Sequence, residues 1–172
     1  MVEVIIVIAL VIILTSVTVP GSMSSLRVSR VNQAVAMLDM ANNDAQRFAR
    51  ASHSSDDGFF GIRLHGGQPP HRISVIYGSD SSAPALTGLS RSLNPGVLIY
   101  HGESPLEHDL VWFYQPAKGF PVAAGALQAG TIAIGTPGSP VSENLSIRSN
   151  DGASRVQCRI FEVGLFNRER IQ

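Results

Sequence analysis

Val4 to Leu14 is an unbroken apolar run of eleven residues, VIIVIALVIIL, and fifteen of the first nineteen residues are apolar. As a helix rising ~1.5 Å per residue, Met1 to Val19 spans about 28 Å, close to the ~30 Å hydrocarbon core of a bilayer. Beyond Pro20-Gly21 the pattern turns amphipathic. Val28, Val31, Val35, Leu38, Ala41, Ala45 and Phe48 recur at intervals of three and four residues, which puts them on one helix face. Arg27, Arg30, Asn32, Asp39, Asn43, Gln46 and Arg50 fall mainly on the other faces. A proline inside a helix removes a backbone hydrogen bond and crowds the preceding turn, so a kink is expected at Pro20 and Gly21. The spacing predicts one helix from the start to about Ser52. Its length of about 78 Å, at ~1.5 Å per residue, exceeds what a domain of this size covers. The apolar half is the part expected to protrude.

From Gly58 the period shortens. Phe59–Leu64, Arg72–Tyr77, Val97–Tyr100, Leu110–Tyr114, Thr131–Ile134, Leu145–Ser149 and Arg155–Val163 read as strands, separated by breakers such as HGGQPP, NPG and GTPGSP. Asn150-Asp151-Gly152 predicts a hairpin between the last two. Ser79 to Ser92, rich in Ser, Ala and Gly, reads as a surface loop. The fold class expected is α+β: a long kinked N-terminal helix, membrane half plus amphipathic half, packed on an antiparallel β-sheet domain. Residues 1–22 form the membrane segment, 23–52 the amphipathic helix and 53–172 a β-rich head.

Composition narrows the function. The 172 residues carry thirteen Lys+Arg against thirteen Asp+Glu, which excludes a basic footprint over the whole chain. A single cysteine, Cys158, excludes an internal disulfide framework and a cysteine-based zinc cage. No Lys or Arg precedes Arg27 and SVTVPGSMSS holds no A-x-A-like site, which argues against a cleaved conventional secretory signal.

The segment Val2-Glu3-Val4-Ile5-Ile6-Val7-Ile8-Ala9 resembles the N-terminus of type IV pilins and pseudopilins, in which a glutamate opens a long aliphatic helix. Pro20 follows Glu3 by seventeen residues, the usual spacing in that family. The remainder is similar to the H-type minor pseudopilins of type II secretion and to FimT-type minor pilins. Phe113-Tyr114-Gln115-Pro116-Ala117-Lys118-Gly119 and Leu145–Val163 match their strand, turn and hairpin outline. The resemblance implies a pilin-like fold and a non-enzymatic structural subunit of a type II secretion pseudopilus. Such a subunit is a single-pass inner-membrane protein with a periplasmic head, assembled with other pilin-like subunits into a periplasmic fibre. The alternative it implies is a minor type IV pilin acting in pilus assembly or DNA uptake. It further implies a short basic leader encoded ahead of Met1-Val2, ending in Gly, that a prepilin peptidase and methyltransferase processes.

Glu3 is the most informative single residue. An acid near the end of an apolar helix either snorkels to the interface or, as the resemblance implies, neutralises the N-terminal ammonium of a neighbouring subunit. Arg148, Arg155, Arg159, Arg168 and Arg170 crowd the last 25 residues, against Asp151, Glu162 and Glu169. In FimT-type proteins an arginine-bearing tail is linked to DNA uptake, and Arg168 and Arg170 lie in the corresponding place. The net excess of only +2 (five Arg minus three acids) makes phosphate attraction weak. His53, His65, His71, His101 and His108 lack metal-ligand spacing and read as surface residues, and Cys158 as a buried inert thiol. Gly88-Leu89-Ser90-Arg91-Ser92 lacks the closing Gly of a nucleophile elbow, and no phosphate-binding loop is present. No catalytic constellation is visible, and neither cofactor nor metal is expected.

Overall fold

The computed structural model describes residues 2–52, 58–80, 82–123, 127–128, 131–132, 143–152, 154–160 and 166–171. Within these, the side chains of 15–22, 121–123, 127–128, 131–132, 143–144, 157–160 and 166–171 lie outside the described set. Helix α1 (Val2–Ala51) comes first. The strands follow as β1 (Phe59–His65), β2 (Arg72–Gly78), β3 (Ala85–Ser92), β4 (Val97–His101), β5 (Ser104–Pro105) and β6 (Leu110–Tyr114), then β7 (Pro121–Ala123), β8 (Leu127–Gln128), β9 (Thr131–Ile132), β10 (Glu143–Ser149), β11 (Arg155–Ile160) and β12 (Phe166–Ile171). One five-stranded sheet runs β3-β2-β1-β6-β7 and a second β12-β11-β10-β4-β5, with β8 and β9 paired apart. Every pairing is antiparallel, so the chain is α+β with a helix packed on antiparallel sheets.

Both sheets meet the second half of α1, which touches β1, β2 and β6 on one side and β4, β10 and β11 on the other. Val31, Ala34, Val35, Leu38, Ala41, Ala45 and Ala49 supply the helix side of the core. Ile62, Leu64, Ile73, Val75, Trp112 and Tyr114 come from the first sheet, and Val97, Ile99, Leu145, Ile147 and Val156 from the second. Alanines at 34, 41, 45 and 49 let the sheets approach the helix backbone closely, while the β-branched and aromatic residues of the strands fill the space.

Two polar residues interrupt the apolar helix face. Asn42 and Gln46 are buried, although the three-and-four spacing assigns Gln46 to an outer face. Phe48 moves the other way: it is 39% exposed and stacks on Phe60 of β1, ring centroids 5.4 Å apart. The reason is a partner. Trp112 Nε1–H donates to the Tyr114 hydroxyl at 2.7 Å, and that hydroxyl donates to Asn42 Oδ1. A buried phenol and indole need hydrogen bonds, and Asn42 closes the chain from the helix. Burial also pushes the Tyr114 phenol well above its ordinary range.

The end of α1 is tied down by the turn after β6. Ala117 N–H donates to the carbonyls of Ala49 (2.9 Å) and Ser52 (3.1 Å), satisfying groups a helix C-terminus leaves open. Gly119 has φ +70°, the left-handed region that favours glycine, and it lies against the Arg50 side chain.

Three sequence expectations change. Ser79 to Ser92 is not all loop: Ala85–Ser92 is β3, an edge strand paired with β2 through an irregular register between Ser74 and Ile76. An edge strand has one neighbour and a partly solvated surface, so small polar residues suffice and the hydrophobic signal is faint. The C-terminal residues Phe166–Ile171 form β12, a strand beyond the last one expected from the sequence. His71 is buried, 3% exposed, with Nδ1 at 3.2 Å from the His65 carbonyl, and is no surface histidine. The hairpin at Asn150-Asp151-Gly152 is present, with Arg148 opposite Arg155 and Gly152 at φ +72°. Strand ends 133–134 and 161–163, and His53, lie outside the described residues, as does the side chain of Cys158. Helix α1 runs as one element from Val2 to Ala51, and the expected kink at Pro20 and Gly21 falls where side chains are outside the described set.

Two consequences are measurable. Removing residues 1–26 keeps every buried helix residue and the Arg27–Asp151 ion pair (2.5 Å), so the remaining chain should unfold cooperatively in urea. Within that fragment, Tyr114→Phe should cost about 1–3 kcal/mol, because Asn42 Oδ1 and Trp112 Nε1 lose their buried partner. A shift in the urea midpoint at constant slope would report it.

Candidate assembly surface

The first turns of α1 carry exposed apolar side chains. Val2, Val4 to Ile8 and Leu10 to Leu14 are all exposed, from 53% at Val11 to 70% at Val2. The first helix residue of the core is Val31, so the apolar half projects from the head. A contiguous apolar surface of this kind marks contact with other protein or with lipid. Among the described residues no helix is long and apolar enough to cross a membrane; the described apolar stretch stops at Leu14, ahead of residues 15–22.

Glu3 sits in the first turn of this projecting helix, where a carboxylate complements the partial positive charge of the N-terminus. It is exposed, among Val2, Val4 and Val7. At the base of the projection, Arg27 bonds Asp151 at the tip of the β10–β11 hairpin, anchoring the helix as it enters the head.

The C-terminal arginines do not form one surface. Residues directly opposite in antiparallel strands share a face, and successive residues alternate. Arg148 is opposite Arg155, and Asn144 opposite Arg159, whereas Arg168 is opposite Cys158 and Arg170 opposite Val156. Arg168 and Arg170 therefore occupy register positions on the opposite face from Arg148, Arg155 and Arg159. Val156, on the face of Arg168 and Arg170, belongs to the core. Two of the remaining arginines are neutralised at once: Arg148 Nη2 lies 3.0 Å and Arg155 Nη2 3.1 Å from the two carboxylate oxygens of Glu103. Arg148 also rests 4.0 Å above the Tyr100 ring. The hydrogen bonds from Arg148, then Arg155, hold the Glu103 carboxyl below the ordinary glutamate range.

The structure also assembles a polar row that no sequence window contains. Asp109 Oδ2 lies 3.3 Å from His65 Nδ1, and His65 Nε2 lies 3.2 Å from Ser74 Oγ, which is 2.9 Å from Ser90 Oγ. Gly66 N–H donates to the other Asp109 oxygen at 3.0 Å. The row crosses β1, β2, β3 and the start of β6, so only strand pairing brings it together. Alternation of polar Arg63 and His65 with Ile62 and Leu64, and of polar Arg72 and Ser74 with Ile73 and Val75, is the one sequence signal for it. Among the described residues no cluster of three or more His, Cys, Asp or Glu is suited to a metal ion.

No protein-family model, curated protein or solved structure matches the chain.

The Glu103 fork makes a pH prediction. A carboxyl whose folded pKa is depressed stabilises the fold above its unfolded pKa and loses that contribution as pH falls through the folded value. Wild type should therefore exceed Glu103→Gln in urea midpoint at neutral pH, and the gap should close on acidification below about pH 4. Midpoints measured from pH 7 to pH 3 would show whether the two curves converge.

Proposed function

We propose that the chain is a minor pseudopilin, a structural subunit of a type II secretion pseudopilus that takes part in protein export. The observation that carries this reading is the projecting half of α1, where the apolar side chains of Val2, Val4 to Ile8 and Leu10 to Leu14 are all exposed. A head that buries only Val31 to Ala49 leaves that half to be covered by something else. In the lipid stage the cover is the inner membrane, with residues 15–22 completing the apolar segment that begins at Val2. In the assembled stage the cover is the equivalent helices of neighbouring subunits. Van der Waals contact between helices then replaces contact with acyl chains.

The head faces the periplasm and selects partners. Its attachment to the helix is rigid: the core packs along α1, the 115–119 turn caps its end, and Arg27–Asp151 braces its entry. This supports a subunit whose head orientation follows from the packing of its helix. The leader and its peptidase belong to the same reading.

Glu3 is the residue on which assembly turns. At bilayer depth a carboxylate costs roughly 2.5–3.5 kcal/mol on insertion scales, by analogy with a central Asp. Pairing with the N-terminal ammonium of a neighbour offsets that cost and sets the axial register between helices. The DNA-uptake alternative gains no support from the head, because Arg148 and Arg155 are engaged by Glu103 and the tail arginines fall on the other face of the sheet.

Glu3→Ala should leave membrane insertion intact, since it removes a charge from an apolar segment, yet reduce incorporation among pilin-like subunits. Glu3→Gln should be nearly as defective, because it keeps size and hydrogen bonding but not charge. Cross-linking to partner subunits at matched membrane levels measures this. Equal cross-linking of both variants and the parent would remove the assembly role of Glu3.

A further inference from the structure

The outer face of the first sheet carries the row Asp109–His65–Ser74–Ser90, for which subunit assembly has no use. Its hydrogen bonds have a direction set from one end. The Asp109 carboxylate only accepts, so His65 Nδ1 carries the proton and Nε2 is left as an acceptor. The Ser74 hydroxyl then donates to Nε2, which leaves Ser74 Oγ to accept from the Ser90 hydroxyl. A base oriented by a carboxylate stands at one end and a hydroxyl at the other, the logic of an activated serine with a second serine as relay.

Burial separates the two serines. Ser74 is 1% exposed and meets no substrate, whereas Ser90 is exposed on edge strand β3. Arg72 is also exposed, in register with His65 on one side and Ser92 on the other, and so stands on the same face of the sheet. It adds positive charge to that face. Ser90 belongs to the Gly88-Leu89-Ser90-Arg91-Ser92 segment, which lacks the elbow motif; its activation arises from strand pairing instead.

We propose that Ser90 is a base-activated nucleophile that takes an acyl group from small carboxylic esters reaching this open face. Ser90 Oγ bonds to the carbonyl carbon as its proton passes to Ser74 Oγ and the Ser74 proton to His65 Nε2. The ester C–O bond then breaks, and the leaving alkoxide takes a proton from solvent water at the open face, departing as an alcohol and leaving hydroxide. The hydroxide adds to the acyl-serine carbonyl, and as the Ser90 C–O bond breaks Ser90 Oγ takes back a proton from Ser74, which takes one from His65 Nε2, releasing a carboxylic acid and restoring Ser90.

The test uses the full chain in detergent micelles, a fluorophosphonate probe with mass-spectrometric mapping of the adduct, and p-nitrophenyl acetate turnover in parallel. Wild type should carry the phosphonyl group on Ser90, with fluoride displaced, and Ser90→Ala should lose both the adduct and turnover. His65→Gln keeps size and hydrogen bonding without basicity, and should slow labelling at least about tenfold with an unchanged far-ultraviolet spectrum. Ser74→Ala, which cuts the relay and leaves Ser90 exposed, should slow it similarly. Absence of an adduct at Ser90, or labelling of His65→Gln at the wild-type rate, would overturn the proposal and leave the row a cross-strand polar ladder.

Discussion

One face of α1, from Val31 to Ala49, is the surface on which both sheets close, and little else in the molecule makes sense without it. Backbone contact between the two sheets includes Gly67 N–H to the Leu106 carbonyl at 2.9 Å, about a single hydrogen bond's worth of stability. The apolar core that both contribute to is a single cluster with the helix inside it. Burial of apolar surface is the dominant favourable term in folding, so the helix is the common element that makes one body of two sheets. Asn42 adds direction to that adhesion. Its acceptor for the Tyr114 hydroxyl favours one placement of the helix over β6, because a shift of one turn strands buried polar groups.

The same helix divides the molecule's chemistry. Its second half packs into the core, and the described apolar side chains of its first half are exposed. A helix that is apolar all round belongs in lipid or in a bundle of like helices. This difference along one element is what couples anchoring to assembly in the proposed pseudopilin. Where the helix packs, the head is oriented by the shared core, with Arg27–Asp151 at the helix entry and the 115–119 turn bonded to its C-terminal end.

Charge on the head is arranged locally. Glu103 takes both Arg148 and Arg155, and Asp44 takes Arg91 at 3.0 Å. These pairs suit a surface on which net charge is zero and no long-range field is built. The Asp109–His65–Ser74–Ser90 row differs from them in being directional, with a base at one end and an exposed hydroxyl at the other.

Sequence by itself determined the elements whose signal is local. The apolar run Val4–Leu14, the three-and-four spacing from Val31 to Ala45 and the Asn-Asp-Gly turn each encode their structure within a few residues. The core strands β1, β2, β4, β6, β10 and β11 were legible for the same reason, since buried strands repeat β-branched and aromatic residues between breakers. Edge strands β3 and β12 were not, because they complete a sheet by backbone pairing and carry little apolar pattern of their own. Tertiary structure alone decided that Gln46 goes in and Phe48 out, that His71 is buried, and that the C-terminal arginines part onto opposite faces. It also decided that Asp109, His65, Ser74 and Ser90 meet. In each case the outcome depends on other strands or the helix, outside the local sequence window, and only packing brings the partners within hydrogen-bonding or van der Waals reach.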